Sequence, residues 1–242
     1  AIFSMTAKFV SATLAQLYRK VHNDGSVSGG PMYYLDQGLK DIGLGAFGKI
    51  LGVLYAIFII GGAFGGGNMF QANQSYELVG SLTGIPSWIY GVFLMALVAA
   101  VIMGGIERIG KTTEKIVPTM VILYVAASLF VILMNLDKLP NVLNSIISQA
   151  FNPEATYGGF IGVLITGIRR AVFSNEGGVG SASIAHSAAK TDEPVREGIV
   201  AMIGPFIDTI VVCFMTASVI LITADQNPLI NQEGIQGAQL TS

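Results

Sequence analysis

The 242-residue chain is 52% hydrophobic and 12% charged, with a formal net charge of −2 and a mean hydropathy of +0.65. Soluble domains carry roughly 25% charged residues, and the long charge-free runs of this chain exclude a soluble protein with an unusually apolar core. No basic arm or patch indicates a nucleic-acid partner, and the single cysteine excludes a disulfide framework.

Apolar runs of about 18 residues without charges are typical of transmembrane helices. We therefore predict an all-α membrane protein in which residues 1–242 form one transmembrane domain. The predicted spans are 1–18, 49–77, 88–106, 116–135, 159–188 with a break near 174–178, and 196–223. Segment 136–157 has apolar residues at helical spacing but is too short to span, so we predict an extracellular amphipathic helix there.

Basic residues between the spans predict the orientation of the chain. One side carries nine of them: Arg19, Lys20, Lys40, Lys49, Arg108, Lys111, Lys115, Lys190 and Arg196. The other side carries only Lys138. The positive-inside rule makes the basic side cytoplasmic, so both ends of this chain are predicted to be extracellular or periplasmic.

Polar side chains recur on one face of the second predicted span. Asn68, Gln71 and Ser75 are spaced i, i+3 and i+7, and the glycines before them allow another backbone or a small ligand to come close. Two interpretations stay open. The amides either form one wall of a binding site or hydrogen-bond to neighbouring helices.

The stretch "RRAVFSNEGGVGSASIAHSAAK", residues 169–190, places a polar, glycine-rich centre inside an apolar segment. A helix that breaks at Ser174, Asn175 and Glu176 leaves backbone carbonyls and amides without partners. In lipid this is tolerated only where the break lines a cavity or binds something. Free carbonyls can hold an ammonium group or a cation, and free amides can hold a carboxylate.

Two ionisable residues are predicted near the middle of the membrane. Asp208 lies about twelve residues into the last span, which begins at "TDEP" with Pro194 as an initial helical position. Lys8 should reach a similar depth in the first span. The two could form a structural ion pair, and Lys8 could alternatively pair with Glu176.

The sequence lacks the features that an ion channel or an intramembrane enzyme would need. An ion channel needs a continuous polar stripe or a pore ring, and only separate polar sites occur. An intramembrane enzyme needs a nucleophile and base, or metal ligands, at one depth. The sequence therefore predicts neither an enzyme nor a bound cofactor.

Several motifs together resemble the alanine or glycine:cation symporter family, also called sodium:alanine symporters. They are "SGGPMYYL", "GNMFQAN", "GGIERIGKTTEKIVP", "RRAVFSNEGGVGSASIAHSAAKTDEPVREG" and "FIDTIVVCFMTASVIL", in order along nearly the whole chain. The resemblance implies a multi-pass protein of the plasma or inner membrane. It implies an inverted-repeat, leucine-transporter-like fold of the amino acid-polyamine-organocation superfamily, of which this chain corresponds to about helices two to seven.

The same resemblance implies symport of alanine or glycine with a cation, Na⁺ or possibly H⁺, by a transporter embedded in the lipid bilayer. The chain alone is expected to be inactive, because part of the substrate and cation sites would lie in other helices. The residues expected around the substrate are Asn68, Gln71, Phe173, Ser174, Asn175, Glu176 and Gly177. One departure concerns Gly177, because family members usually have alanine there.

Overall fold

The computed structural model describes residues 2–150, 165, 167–170 and 172–224. Within these residues the chain is mostly helical, in agreement with the predicted all-α membrane protein. It divides into two compact units, residues 1–64 with 152–213 and residues 65–151 with 214–242. The leucine-transporter-like arrangement stays a prediction.

The first unit begins with helix α1 (Ile2–Leu17) and a two-stranded antiparallel hairpin of β1 (Lys20–Val21) and β2 (Val27–Ser28). Helices α2 (Pro31–Asp41) and α3 (Gly45–Phe64) follow and pack against each other. The hairpin and α2 were not predicted, since charged and glycine-rich residues hide them from a search based on hydropathy. Gly30 precedes Pro31 with φ 121°, a conformation that favours glycine, and proline then starts the helix.

The rest of the first unit is the broken helix and the helix after it. Residues 167–170 and 172–175 are helical, and α8 (Ser181–Ser187) forms the second half. Helix α9 (Pro194–Pro205) begins at the predicted proline and leads into a π-helical segment, Phe206–Cys213. Helix α1 packs against both α8 and α9, with Ala12, Ala15 and Ala201 in the core.

The second unit opens with a five-residue π-helical segment, Gly65–Met69. It continues with α4 (Phe70–Thr83), α5 (Ser87–Ile102), α6 (Gly105–Met134), α7 (Leu139–Ala150) and, later in the chain, α10 (Phe214–Ala224). Helix α10 packs against α6 and α7, where Val142, Met215 and Ile222 are buried. The fourth predicted span is longer than expected at its start, because the polar residues 105–115 continue the helix without adding to its hydropathy.

Three helical stretches in the described part of the chain are long and apolar enough to cross a membrane: Gly45–Thr83, Gly105–Met134 and Pro194–Thr223. Ser87–Ile102 is a shorter apolar helix, and α1 has 16 residues. Large apolar side chains such as Phe58, Trp88 and Phe130 are each at least 66% exposed. The beginning of the fifth predicted span and the tail after residue 224 lie outside the described residues.

Candidate functional site

The break in the fifth predicted span lies at residues 176–180, two residues later than the sequence indicates. Ser174 and Asn175 still belong to the end of the first half-helix. Glu176 then has φ 51°, which is uncommon for a residue other than glycine, and Gly178 and Gly180 have φ 91° and 82°. Three left-handed residues in five turn the chain sharply before α8 begins.

This turn leaves few backbone hydrogen bonds across the break. Val179 N donates to Glu176 O at 3.3 Å and Ser183 N donates to Gly180 O at 3.2 Å. The last carbonyls of a half-helix have no donor one turn later in the chain. That carbonyl oxygens at the end of the first half-helix bind a positively charged group stays a prediction.

Two side chains at this helix end are hydrogen-bonded to the π-helical segment Phe206–Cys213. Ser174 Oγ donates to a carboxylate oxygen of Asp208. Thr209 Oγ1 donates to Asn175 Oδ1 at 2.6 Å. Neighbouring residues of one element thus pair with neighbouring residues of the other.

Asn175 is the most informative member of this group. Its side chain is almost fully enclosed, with 1% of the residue exposed. Its Nδ2 atom is buried and has no hydrogen-bond partner among the described residues. A buried donor without a partner costs about 1–3 kcal/mol, so this amide is suited to a ligand that brings an acceptor.

The π-helical segment explains how Asp208 and Thr209 reach the broken helix. Pro205 ends α9 and cannot donate the backbone hydrogen bond that would continue a regular α-helix. The wider π turns that follow change the direction of the side chains, and such turns are frequent at functional sites. Thr209 was missed by the sequence reasoning, although a hydroxyl group beside the one acid of an apolar helix is a usable signal.

The predicted ion pair of Lys8 and Asp208 is not formed. Among the described residues the one salt bridge joins His186 Nδ1 to Glu197 Oε1 at 2.6 Å. Asp208 instead accepts the hydroxyl of Ser174. The ammonium group of Lys8 lies beside Gly204, where an added Cβ would be 3.5 Å from Nζ.

Gly177 is buried against α1. A Cβ on Gly177 would lie 2.9 Å from the Ser4 Cα and closer still to the Ser4 side chain. The missing methyl group therefore lets the turn of the broken helix approach α1. Of the other predicted residues here, Phe173 is 49% exposed and Glu176 is also exposed.

The second half-helix, α8, is attached to α1 by polar side chains that the sequence analysis did not single out. Gln16 Nε2 donates to His186 O at 2.5 Å and to Ala189 O at 3.2 Å. The Arg19 guanidinium donates to Ser187 O at 3.3 Å, Ala189 O at 2.6 Å and Thr191 O at 3.0 Å. The carbonyls at the end of α8 thus find donors outside their own helix.

Asn68 and Gln71 lie in the second unit. Asn68 belongs to the π-helical segment Gly65–Met69, and Gln71 follows in the first turn of α4. Both are exposed. Their expected position beside the substrate stays a prediction.

A cavity of about 670 Å³ lies in the first unit next to the break. It is lined mainly by α1, through residues such as Thr6, Val10 and Ser11, and it reaches Tyr34, Gly178 and Gly180. Within the described residues, no group of three or more His, Cys, Asp or Glu side chains could hold a metal ion. The polar atoms near the break are instead hydroxyl, amide and carboxylate groups.

Comparison with known proteins identifies the family. The model of the sodium:alanine symporter family matches residues 1–242. The chain belongs to the sodium:alanine symporter family. The family and its relatives are transporters rather than enzymes, in agreement with the class of protein predicted from the sequence.

Relatives differ in the substrate that their names give. The sodium/alanine symporter AgcS of Methanococcus maripaludis is 46% identical over 243 residues, which cover 100% of this chain and 53% of AgcS. The probable sodium/glutamine symporter GlnT of Bacillus subtilis is 36% identical, over 100% of this chain and 48% of GlnT. YrbD of the same organism, a putative sodium/proton-dependent alanine carrier protein, is 35% identical, over 94% of this chain and 46% of its own length. The chain spans about half the length of the curated relatives it matches.

Proposed function

We propose that this chain is part of a secondary active transporter that carries a small neutral amino acid, alanine or glycine, inward together with Na⁺. Membership of the family supports transport, and the names of AgcS and YrbD favour alanine. The chain spans about half the length of AgcS, and we propose that it does not transport alone. Alternating access of a central site would move the amino acid across the membrane.

The observation that carries the proposal is the buried Nδ2 of Asn175 at the break in a membrane helix, which has no hydrogen-bond partner in the part of the chain that the structure describes. A zwitterionic amino acid offers a carboxylate to such a donor and an ammonium group to the carbonyls of the half-helix end. In this arrangement Ser174 also faces the ammonium group, Phe173 covers the ligand, and Asn68 and Gln71 fix its orientation. Glu176 and Gly177 form the turn beneath it.

The choice of alanine or glycine over a longer side chain follows the names of AgcS and YrbD. GlnT shows that a relative can bear the name of a larger amino acid. Discrimination by one methylene in an apolar pocket is worth about 1–3 kcal/mol, so we expect graded preference rather than absolute exclusion.

The test is uptake of radiolabelled alanine by the full-length protein in liposomes with an imposed Na⁺ gradient. We expect accumulation that collapses when K⁺ replaces Na⁺, competition by glycine, and weak competition by glutamine. Asn175→Ala should lower alanine affinity at least about tenfold, whereas Thr223→Val, whose hydroxyl bonds within its own helix, should not. Accumulation driven by a proton gradient in Na⁺-free buffer would replace Na⁺ by H⁺ as the coupling ion, and no accumulation under either gradient would refute the proposal.

The predicted orientation, with both ends of the chain extracellular, can be tested separately. Cysteines introduced into the hairpin at Ser26 and into the last turn of α4 at Ser81, in a Cys213→Ser background, should react differently with an impermeant maleimide applied to intact cells. We expect labelling at position 81 and protection at position 26. The reverse pattern would invert the topology without affecting the proposed transport.

A further inference from the structure

Helix α6 carries a cluster of basic side chains before its apolar part. Arg108, Lys111 and Lys115 are spaced three and four residues apart, so they lie on one face of the helix. All three are exposed. The charge-free run 116–134 begins directly after Lys115. The cluster therefore lies at the polar end of a helix that is long and apolar enough to cross a membrane.

The positive charges of this cluster are not neutralised within the described part of the chain. Glu107 precedes Lys111 by four residues, a spacing that suits an ion pair. The one salt bridge among the described residues nevertheless lies elsewhere, between α8 and α9. Like charges that are close neighbours on a helix destabilise it. A negatively charged partner would remove this cost.

The basic face continues as an apolar surface along the rest of α6. Ile122, Leu129 and Leu133 follow Lys115 after about two, four and five turns of 3.6 residues. They therefore lie on the same side of the helix as the basic cluster. Each is at least 44% exposed. One face of α6 thus presents positive charges at one end and uncovered apolar side chains along the remainder.

The opposite face of α6 makes the contacts with the rest of the second unit. Tyr124 lies about two and a half turns after Lys115, which places it on the other side of the helix. Its hydroxyl group is hydrogen-bonded to Thr216 Oγ1 of α10. Ser128, one turn later, is buried. The packing of α6 against α10 therefore leaves the basic and apolar face uncovered in the described part of the chain.

We propose that this face of α6 binds an anionic phospholipid. The guanidinium and ammonium groups would bind the phosphate of the head group, since Arg and Lys both recognise phosphate. The exposed apolar side chains would pack along an acyl chain. A zwitterionic phospholipid has the same acyl chains but brings no net negative charge to the basic cluster. The inference does not depend on which amino acid or cation the protein transports.

The experiment measures lipid binding to the full-length protein in detergent. The probes are phosphatidylglycerol and phosphatidylcholine with identical acyl chains, and glycerol phosphate, which has the phosphate without an acyl chain. One readout is the melting temperature as a function of the concentration of each probe. The other is the number of lipid molecules that stay bound in native mass spectrometry. Neither readout requires transport.

We expect phosphatidylglycerol to raise the melting temperature at lower concentrations than phosphatidylcholine, and glycerol phosphate to have little effect. Arg108→Gln/Lys111→Gln/Lys115→Gln should raise the half-maximal phosphatidylglycerol concentration about a hundredfold, since each basic residue near an anionic lipid contributes about fivefold. The bound phosphatidylglycerol should be lost in native mass spectrometry. Lys111→Arg/Lys115→Arg, which keeps both charges, should retain it.

The matched control is Lys40→Gln/Lys49→Gln/Lys190→Gln. It removes the same number of charges from lysines that are also exposed but lie outside α6. We expect this variant to keep the preference for phosphatidylglycerol. If the triple variant of α6 does not fold, Lys111→Gln and Lys115→Gln are measured singly, and each should raise the half-maximal concentration about fivefold.

Four results would overturn the proposal. The first is equal effects of phosphatidylglycerol and phosphatidylcholine on the wild type, which would also be found if another part of the full-length protein covers this face. The second is an equal loss in the control variant, because net charge alone would then explain the effect. The third is an effect of glycerol phosphate as large as that of phosphatidylglycerol, because the surface would then bind a free phosphate. The fourth is an unchanged preference in the variants of α6. The proposed function is tested separately by Na⁺-dependent uptake, so its failure is distinguishable from these results.

Discussion

The two halves of the broken helix are held in the first unit by different kinds of contact. The second half, α8, has its terminal carbonyls bonded by Gln16 and Arg19 and is approached closely by Gly29 and Gly30. The first half ends in two side-chain hydrogen bonds to the π-helical segment, and its buried Asn175 amide nitrogen has no partner among the described residues. The described contacts thus bond the end of α8, whereas the first half-helix keeps a donor that the proposed function assigns to a ligand.

This difference has a consequence for transport. Alternating access requires parts that stay rigid and parts whose contacts change with the ligand. On the proposed function, we expect helices α1, α8 and α9 to stay packed together and the end of the first half-helix to respond to the ligand. Substitutions in these three helices should lower stability, and substitutions at the end of the first half-helix should change ligand dependence.

The largest effect is expected where α1 and α9 touch. A Cβ at Gly198 would lie 2.9 Å from the carbonyl oxygen of Phe9 and would also collide with Thr13. Gly198→Val should separate the helices and cost at least about 1–3 kcal/mol of stability. The measurement is the melting temperature and the yield of folded protein in detergent. The matched control is Gly110→Ala, where nothing lies within 4 Å.

The next effect concerns the attachment of α8. Arg19→Met removes three hydrogen bonds to carbonyls near the end of the helix. Bonds from charged groups contribute about 1.5–3 kcal/mol each at most, so we expect a clear drop in melting temperature with little change in the Na⁺ dependence of the remaining uptake. Arg19→Lys should recover part of the lost melting temperature. A shifted Na⁺ requirement at unchanged stability would show that α8 is not purely structural.

A smaller and more specific effect is expected at the turn between the halves. Gly177→Ala places a methyl group against the Ser4 Cα. We expect reduced alanine affinity with a modest loss of stability, and partial recovery in Ser4→Gly/Gly177→Ala, because the two sites touch. The measurement is a double-mutant cycle on alanine affinity. Additive effects of the two substitutions would contradict the contact.

The smallest effect is expected in the hairpin, which does not belong to either half of the broken helix. A substitution there is a control for the substitutions in the two halves. The Ser26 hydroxyl, donating to Asp24 Oδ1 at 2.6 Å, lowers the pKa of the Asp24 carboxyl, and the Ser26 N–H at 3.0 Å adds to this. The resulting stabilisation is present above the unfolded pKa of about 3.9 and is lost as the pH falls through the lower folded value. Ser26→Ala should move the pKa of Asp24 back up, measured by NMR titration of a labelled carboxyl carbon, with no effect on uptake at neutral pH. An unchanged Asp24 titration would remove the Ser26 hydroxyl as the cause.

Much of the fold follows from hydropathy and breaking residues. The charge-free run around Phe58 predicts a helix because any other backbone structure in lipid leaves polar groups unpaired. Pro194 predicts where α9 begins, and "SNEGG" predicts that the fifth span breaks. The break lies two residues later than "SNEGG" indicates, because Ser174 and Asn175 continue the helix and the left-handed residues are Glu176, Gly178 and Gly180.

Less of the candidate site could be read from the sequence. Ser174 and Asn175 were predicted from their place in a broken span, but their partners were not. Asp208 was assigned to Lys8 from depth alone. The π turns after Pro205 rotate the face of the helix on which Asp208 lies. The number of residues between Asp208 and the start of the span therefore does not predict its hydrogen-bond partner.

The sequence by itself determined that this is a helical membrane protein, that one helix is interrupted by polar residues, and to which family it belongs. These features depend on local composition and on the cost of exposing backbone groups to lipid. Only the tertiary structure decided that Asp208 and Thr209 meet Ser174 and Asn175, and that Arg19 completes the end of α8. These contacts join residues 34 or more than 160 positions apart in the chain, and they depend on how the helices pack, which no local pattern encodes.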